Sequence, residues 1–171
     1  PRGESGELCT RGYSVMLGYW NNEEATRQAI DTGRWMHTGD LATMDDDGYV
    51  NIVGRIKDMV IRGGENIYPR EIEEFLYTHP AISDVQVIGV PSAKYGEEVM
   101  AWVKLREASS VTSDELIAFC RNKIATYKIP RYWKFVDDYP MTVTGKVQKF
   151  KMRETALAEM GMEAAAVPAS G

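Results

Sequence analysis

Hydrophobic and polar positions follow two regimes along the chain. As far as Gly54, short alternating runs are separated by turn residues; beyond it, longer runs carry helical spacing. In the first regime Glu7-Leu8-Cys9-Thr10 reads as a strand, and Asn21-Asn22 as a cap before a helix over Glu23 to Ile30. A strand near Met36 to Met44 and another over Tyr49 to Val53 flank Asp45-Asp46-Asp47-Gly48. Its aspartates tolerate a tight turn and its glycine supplies positive φ, so residues 36 to 53 are a predicted β-hairpin. Too few apolar elements precede residue 55 to close an independent core.

The second regime opens with a predicted strand over Ile56 to Ile61 and a turn at Gly63-Gly64. Pro69 starts a helix where its missing N–H costs nothing; Ile72, Phe75, Leu76 and His79 share one face, and Pro80 ends it. Strands follow over about Ser83 to Val90 and Val99 to Leu105. In the latter Val99, Ala101, Val103 and Leu105 alternate with Met100, Trp102 and Lys104, which predicts one core face. Thr112-Ser113-Asp114-Glu115 fits a capping box for a helix running to about residue 125. A strand at Tyr132 to Val136 and a helix from Lys149 to about Glu159 complete the pattern. The expected fold class is α+β: a small domain over residues 57–160, with about three strands and two or three helices. A β-rich stretch over residues 1–56 precedes it and a disordered tail over 161–171 follows.

Charge and composition then remove function classes. A net charge of −5 and a pI near 5.1 provide no basic field to hold a polyanion, which argues against nucleic acid as a partner. Cys9 and Cys120, far apart in a cysteine-poor chain, read as free thiols of a reducing compartment, with Cys120 as core filler. His37 and His79 stand at no metal-ligand spacing from either cysteine, so no metal site is expected. No apolar run approaches the roughly 20 residues that span a bilayer, and no signal-peptide pattern is present; the expected location is cytoplasmic. The start, Pro1-Arg2-Gly3, has no initiator methionine and reads either as a cut from something longer or as a processed terminus.

Four segments are too specialised for ordinary loops, and each has a plain alternative. Thr38-Gly39-Asp40 interrupts a strand pattern with two poor strand formers: either a carboxylate that accepts hydrogen bonds from a diol such as a ribose, or a β-bulge. Gly54-Arg55-Ile56-Lys57-Asp58 stands at the junction of the two regimes. Arg55 could clamp a hydroxyl or phosphate oxygen and Lys57 or Asp58 could be a pivot, or the stretch is a solvated linker. Arg62-Gly63-Gly64-Glu65-Asn66 is a glycine turn with neither a dinucleotide fingerprint nor a phosphate-loop spacing. Thr142-Val143-Thr144-Gly145-Lys146 ends like a Walker loop, but its first glycine and final Ser or Thr are missing. A lysine on such a loop is either a mobile point charge or an ordinary surface residue.

In conjunction and order, these segments resemble the adenylate-forming (AMP-binding) superfamily of acyl-CoA ligases, luciferases and peptide-synthetase adenylation domains. The resemblance covers nearly all of residues 3 to 153. It is carried by Gly6-Glu7-Leu8 with Gly12 and Gly18-Tyr19, by Trp35 to Leu41, by Gly54 to Glu73 and by Pro140 to Lys149. Arg-Gly-Gly-Glu-Asn-Ile-Tyr-Pro-Arg-Glu-Ile-Glu at residues 62–73 is most similar to fatty acyl- or aryl-CoA ligases.

The resemblance implies an enzyme that activates a carboxylate with ATP, releases pyrophosphate, and passes the acyl group from AMP to coenzyme A, its small C-terminal domain turning as a lid between the steps. It implies that Asp40 binds the ribose hydroxyls of ATP or AMP, that Arg55 contacts the same nucleotide, and that Lys57 is the hinge. Lys146 would enter the active site in the first half-reaction, and Gly63, Gly64 and Glu65 would line the pantetheine tunnel in the second. Mg2+ is expected with ligands outside this chain. The phosphate loop, adenine pocket, acyl pocket and magnesium-binding glutamate map to nothing here, so the chain alone is expected to be inactive. Two other readings stay open at this point: a stand-alone interaction module with the lid fold, and an adenylation domain that acylates a carrier protein. Exposed strands over residues 6 to 53 would allow pairing between copies.

Overall fold

Turn chemistry sets the first of two compact units, Pro1–Lys57. Strand β1 (Gly6–Thr10), helix α1 (Glu23–Ala29), β2 (Met36–Met44) and β3 (Val50–Arg55) follow in order, and the strands form an antiparallel sheet in the order β1-β2-β3. Asn22 caps α1, its Oδ1 accepting from the Ala25 amide at 2.9 Å, and Glu23 and Glu24 complement the dipole of the first turn. The β2–β3 turn closes as its residues dictate: Asp45 Oδ1 accepts from the Tyr49 amide at 2.8 Å and Gly48 adopts φ 89°. Burial stays thin. Of this unit's hydrophobic side chains only Ile30 and Ala42 are buried, while Tyr13, Leu17 and Trp20 stand in solvent.

The second unit begins at Asp58, and the structure, a computed structural model, describes it as far as residue 161. Its elements are β4 (Val60–Arg62), β5 (Glu65–Ile67), α2 (Pro69–Tyr77), β6 (Ile82–Ser92), β7 (Gly96–Leu105), α3 (Ser113–Cys120), β8 (Tyr132–Phe135) and α4 (Lys149–Met160). The sheet runs β5-β4-β7-β6, with β8 added parallel to β7. Among the described residues it therefore has five strands rather than about three. The expected strand over Ile56 to Ile61 is instead a 3-10 turn over Ile56–Asp58 followed by β4. Strand β5 escapes a hydrophobicity pattern because Glu65 and Asn66 are exposed and only Ile67 is buried.

Strand β7 is covered on both faces, not on one. Val99, Ala101 and Val103 pack with Ile72, Leu76, Val85, Leu116 and Cys120 from α2, β6 and α3. Met100 and Trp102, on the opposite face, pack with Ile88, Val90, Tyr139, Met152 and Ala156 beneath α4. Each such fully buried aliphatic side chain contributes about 1.5–3 kcal/mol relative to exposure, which gives this unit the core the first one lacks. The Thr112–Glu115 capping box forms reciprocally, but α3 stops at Cys120 instead of continuing to about residue 125. Arg121 is extended and Asn122 turns left-handed at φ 61°, so Ile124 reaches the core from a loop. Gly161, expected in the tail, is the left-handed C-cap of α4; the rest of that tail lies outside the described residues.

Cys120 is enclosed as a core filler, and burial pushes its thiol up to about 11. At pH 8 roughly one molecule in a thousand would carry the thiolate there. Cys9 is partly exposed. A thiol–disulfide reagent is expected to label Cys9 in native buffer at least about tenfold faster than Cys120 and to equalise the two only in denaturant. Equal native rates would contradict the packing.

Candidate functional site

In the first unit the strand-breaking residues build a notch. Gly39 takes φ 71°, and the pairing of β2 shifts register against both neighbours around it. Thr38 Oγ1 donates to the Leu8 carbonyl at 2.7 Å and accepts from the Asp40 amide at 3.1 Å, while Glu7 Oε1 accepts from the Gly39 amide at 3.1 Å. The bulge and the candidate site are one feature. It turns Asp40 opposite Arg55 on β3, and Arg55 Nε donates to Asp40 Oδ1 at 2.9 Å. The two side chains are 28% and 55% exposed. An ion pair this open adds at most about 1 kcal/mol to stability. Chemically it is more informative: among the described residues Asp40 Oδ2 and the Arg55 Nη groups have no partner, leaving an acceptor beside donors.

Sequence spacing put neither histidine at a metal-ligand distance from a cysteine, yet in the fold one such pair meets. Cys9 and His37 are cross-strand partners on β1 and β2, with Sγ 3.6 Å from Nδ1, and the same Nδ1 is 2.8 Å from Glu7 Oε2. Sequence separation hid the cluster, because the residues are 28 and 30 positions apart. The i, i+2 spacing of Glu7 and Cys9 on one strand face was the available signal. The Glu7 carboxylate holds His37 above its ordinary pKa, and burial with the nearby Glu7 and Asp31 charges raises Cys9.

In the second unit Gly63 and Gly64 form the β4–β5 turn with φ 59° and 90°, a double left-handed turn that suits a two-residue hairpin. The Gly63 amide donates to the Tyr95 carbonyl at 2.8 Å. A Cβ on Gly64 would meet nothing, so this face of the turn is bare backbone open to solvent, with Glu65 exposed beside it. Arg62 lies under the turn, pairing with the 5%-exposed Glu98 at 2.5 Å and stacking on Tyr95 at 4.1 Å. Arg62 and Glu98 also border a cleft of about 570 Å³ that Arg121 and Arg131 share, three guanidiniums against one carboxylate.

Lys146 sits on a stiff turn. The Thr142 amide donates to the Lys146 carbonyl at 2.8 Å, the Lys146 amide to Thr142 Oγ1 at 3.0 Å, and Gly145 takes φ 78°. Its side chain is exposed and makes no ion pair among the described residues. Lys149, three positions on, does the opposite: Nζ donates to Glu73 Oε1 at 2.6 Å and to the Val87 carbonyl at 3.0 Å. Lys57 is exposed at the last position of the first unit.

Residues 71–146 match the AMP-binding enzyme C-terminal domain, and the relatives and solved structures that the chain resembles are acyl-CoA synthetases and other adenylate-forming enzymes. The chain is 65% identical over 156 residues to the putative acyl-CoA synthetase YngI of Bacillus subtilis, covering 91% of this chain and 28% of that protein. It is 54% identical over 162 residues to the mitochondrial medium-chain acyl-CoA ligase ACSF2 of Danio rerio, covering 95% and 27%. The ATP-bound crystal structure of MatB from Rhodopseudomonas palustris matches with a TM-score of 0.86 at 39% identity, covering 91% of this chain and 31% of that one. The chain thus spans little more than a quarter of the length of these curated relatives. Among the described residues no helix is long and apolar enough to cross a membrane.

Proposed function

We propose that the chain is part of an acyl-CoA ligase, an acid–thiol ligase that makes acyl-AMP from a fatty or related carboxylate and ATP, then acyl-CoA from the adenylate. The observation that carries this reading is the contrast between two lysines on one segment. Lys149 is consumed by a carboxylate, whereas Lys146, held on a fixed backbone turn, makes no ion pair among the described residues. As a carboxylate oxygen attacks the α-phosphorus, negative charge gathers on oxygens that such an ammonium stabilises. Asp40 and Arg55 supply the acceptor–donor pair that suits a ribose and its flanking oxygens. The bare Gly64 side of the Gly63-Gly64 turn is room for the pantetheine arm of coenzyme A in the second step, while Gly63 packs against Tyr95. Adenylation and thioester formation cannot use one surface at once, so residues 57–160 act as the turning lid, pivoting at Lys57 against residues 1–56, which are the end of the larger domain.

Mg2+ belongs to this reading with its ligands outside the chain. Two unpaired thiols support a reducing location such as the cytoplasm. The uncovered side chains of Tyr13, Leu17 and Trp20 and the open sheet edges are surface the rest of the ligase would cover; in the isolated chain they favour pairing of copies. The test is an assay of the full-length protein with a carboxylate panel, ATP, Mg2+ and coenzyme A. AMP, pyrophosphate and a coenzyme A thioester are expected, and the 171-residue chain alone should catalyse no carboxylate-dependent pyrophosphate exchange. Release of ADP, or exchange by the isolated chain, would overturn the proposal.

A further inference from the structure

We propose that Glu7, Cys9 and His37 form a binding site for a tetrahedral divalent cation of the zinc class, with the fourth position open to water. Their ligand atoms all lie within 4.8 Å of one another. The set is a thiol, an imidazole and a carboxylate, the mixture that borderline-soft cations select over Mg2+ or Ca2+. Spacing agrees with this chemistry. Zinc–sulfur and zinc–nitrogen bonds of about 2.3 and 2.0–2.1 Å at a tetrahedral angle put the two donors about 3.6 Å apart. Cys9 Sγ and His37 Nδ1 are 3.6 Å apart. Nδ1 and Glu7 Oε2, at 2.8 Å, would open by about 0.5 Å, a change that rotation of the Glu7 carboxylate supplies.

The outer contacts argue for a built site rather than a chance meeting. Glu7 keeps one oxygen for the cation because the other accepts from the Gly39 amide. His37 Nε2 faces Asp31 Oδ2 at 3.7 Å, and Asp31 is itself fixed by the Trp35 amide at 2.9 Å on Oδ1. Without a cation Nδ1 donates its proton to Glu7 at 2.8 Å; a cation would displace that proton and leave Asp31 as the carboxylate behind Nε2–H, the arrangement that raises imidazole basicity toward a metal. Register delivers the set: Cys9 and His37 are direct β1–β2 partners, and the irregularity between Glu7 and Cys9 brings Glu7 to the same ring nitrogen.

Cobalt(II) added to the reduced, untagged full-length protein is the probe. One equivalent is expected to give intense tetrahedral visible bands with a thiolate-to-cobalt charge-transfer band, and zinc should displace it. Cys9→Ser and His37→Ala should each remove the charge-transfer band or the tetrahedral spectrum and weaken zinc by at least about 100-fold. Asp31→Asn, acting through the ring, should cost about tenfold. Cys120→Ala should change nothing, and circular dichroism of each variant checks that the sheet persists. A weak octahedral spectrum without the sulfur band, or zinc affinity within about twofold of the parent in folded Cys9→Ser, would overturn the site.

Discussion

Replacing Lys146 by alanine in the intact ligase is expected to slow acyl-adenylate formation by about 10²–10³-fold while leaving thioester formation from preformed acyl-AMP at its normal rate. The magnitude follows from losing one preorganised charge at developing negative oxygens, about 2.7–4 kcal/mol of transition-state stabilisation. Lys146 can be removed without structural penalty: its side chain is exposed, and the turn is held by backbone and Thr142 hydroxyl contacts that alanine keeps. Melting temperature should therefore not move. Gly64→Leu is the opposite arm. At φ 90° any side chain costs about 1–2 kcal/mol, and leucine also fills the bare face proposed for pantetheine. Thioester formation should fall and adenylation persist. Normal pyrophosphate exchange in Lys146→Ala would remove the catalytic assignment, and equal loss of both half-reactions in Gly64→Leu would remove the tunnel assignment.

Elements whose residues act locally were legible in the sequence. The Asn22 and Thr112 caps, the Pro69 start and the Asp45–Gly48 turn each depend on neighbours within four positions, and each formed as expected. What escaped depends on partners distant along the chain. Trp102 and Met100 looked like the outer face of a strand until α4, some 50 residues on, covered them. Glu65-Asn66 gave no strand signal because β5 is held by pairing to β4, not by burial. The candidate site divides in the same way. Gly39, Gly63, Gly64 and Gly145 announced themselves as residues out of place in strand-like or loop sequence, and all four take positive φ. The neighbours of His37, and the difference between Lys146 and Lys149, appear only once β1 meets β2 and α4 meets β6.

That last difference yields the largest stability effect. Among the described residues strand β6 is the edge of its sheet, and the amide and carbonyl of Val87 face away from β7 with no strand beyond them. Glu73 from α2 accepts from that amide at 2.7 Å, Lys149 from α4 donates to that carbonyl at 3.0 Å, and the two side chains bond each other at 2.6 Å. They are only 14% and 20% exposed. One ion pair thus closes an edge that would otherwise invite another strand, and ties two helices to it. Glu73→Ala removes the acceptor of the Val87 amide and leaves the largely buried Lys149 ammonium without its counter-charge. The expected loss is about 3 kcal/mol, the low end for breaking a buried pair, or a fall in melting temperature of roughly 10–15 °C. Glu73→Gln keeps the amide's acceptor and loses only the charge, so it should cost distinctly less. If calorimetry places both variants within about 0.5 kcal/mol of the parent, the pair behaves as a surface contact, and α4 is held by Met152, Ala156 and Leu157 with the Arg153–Glu97 and Lys134–Glu159 pairs.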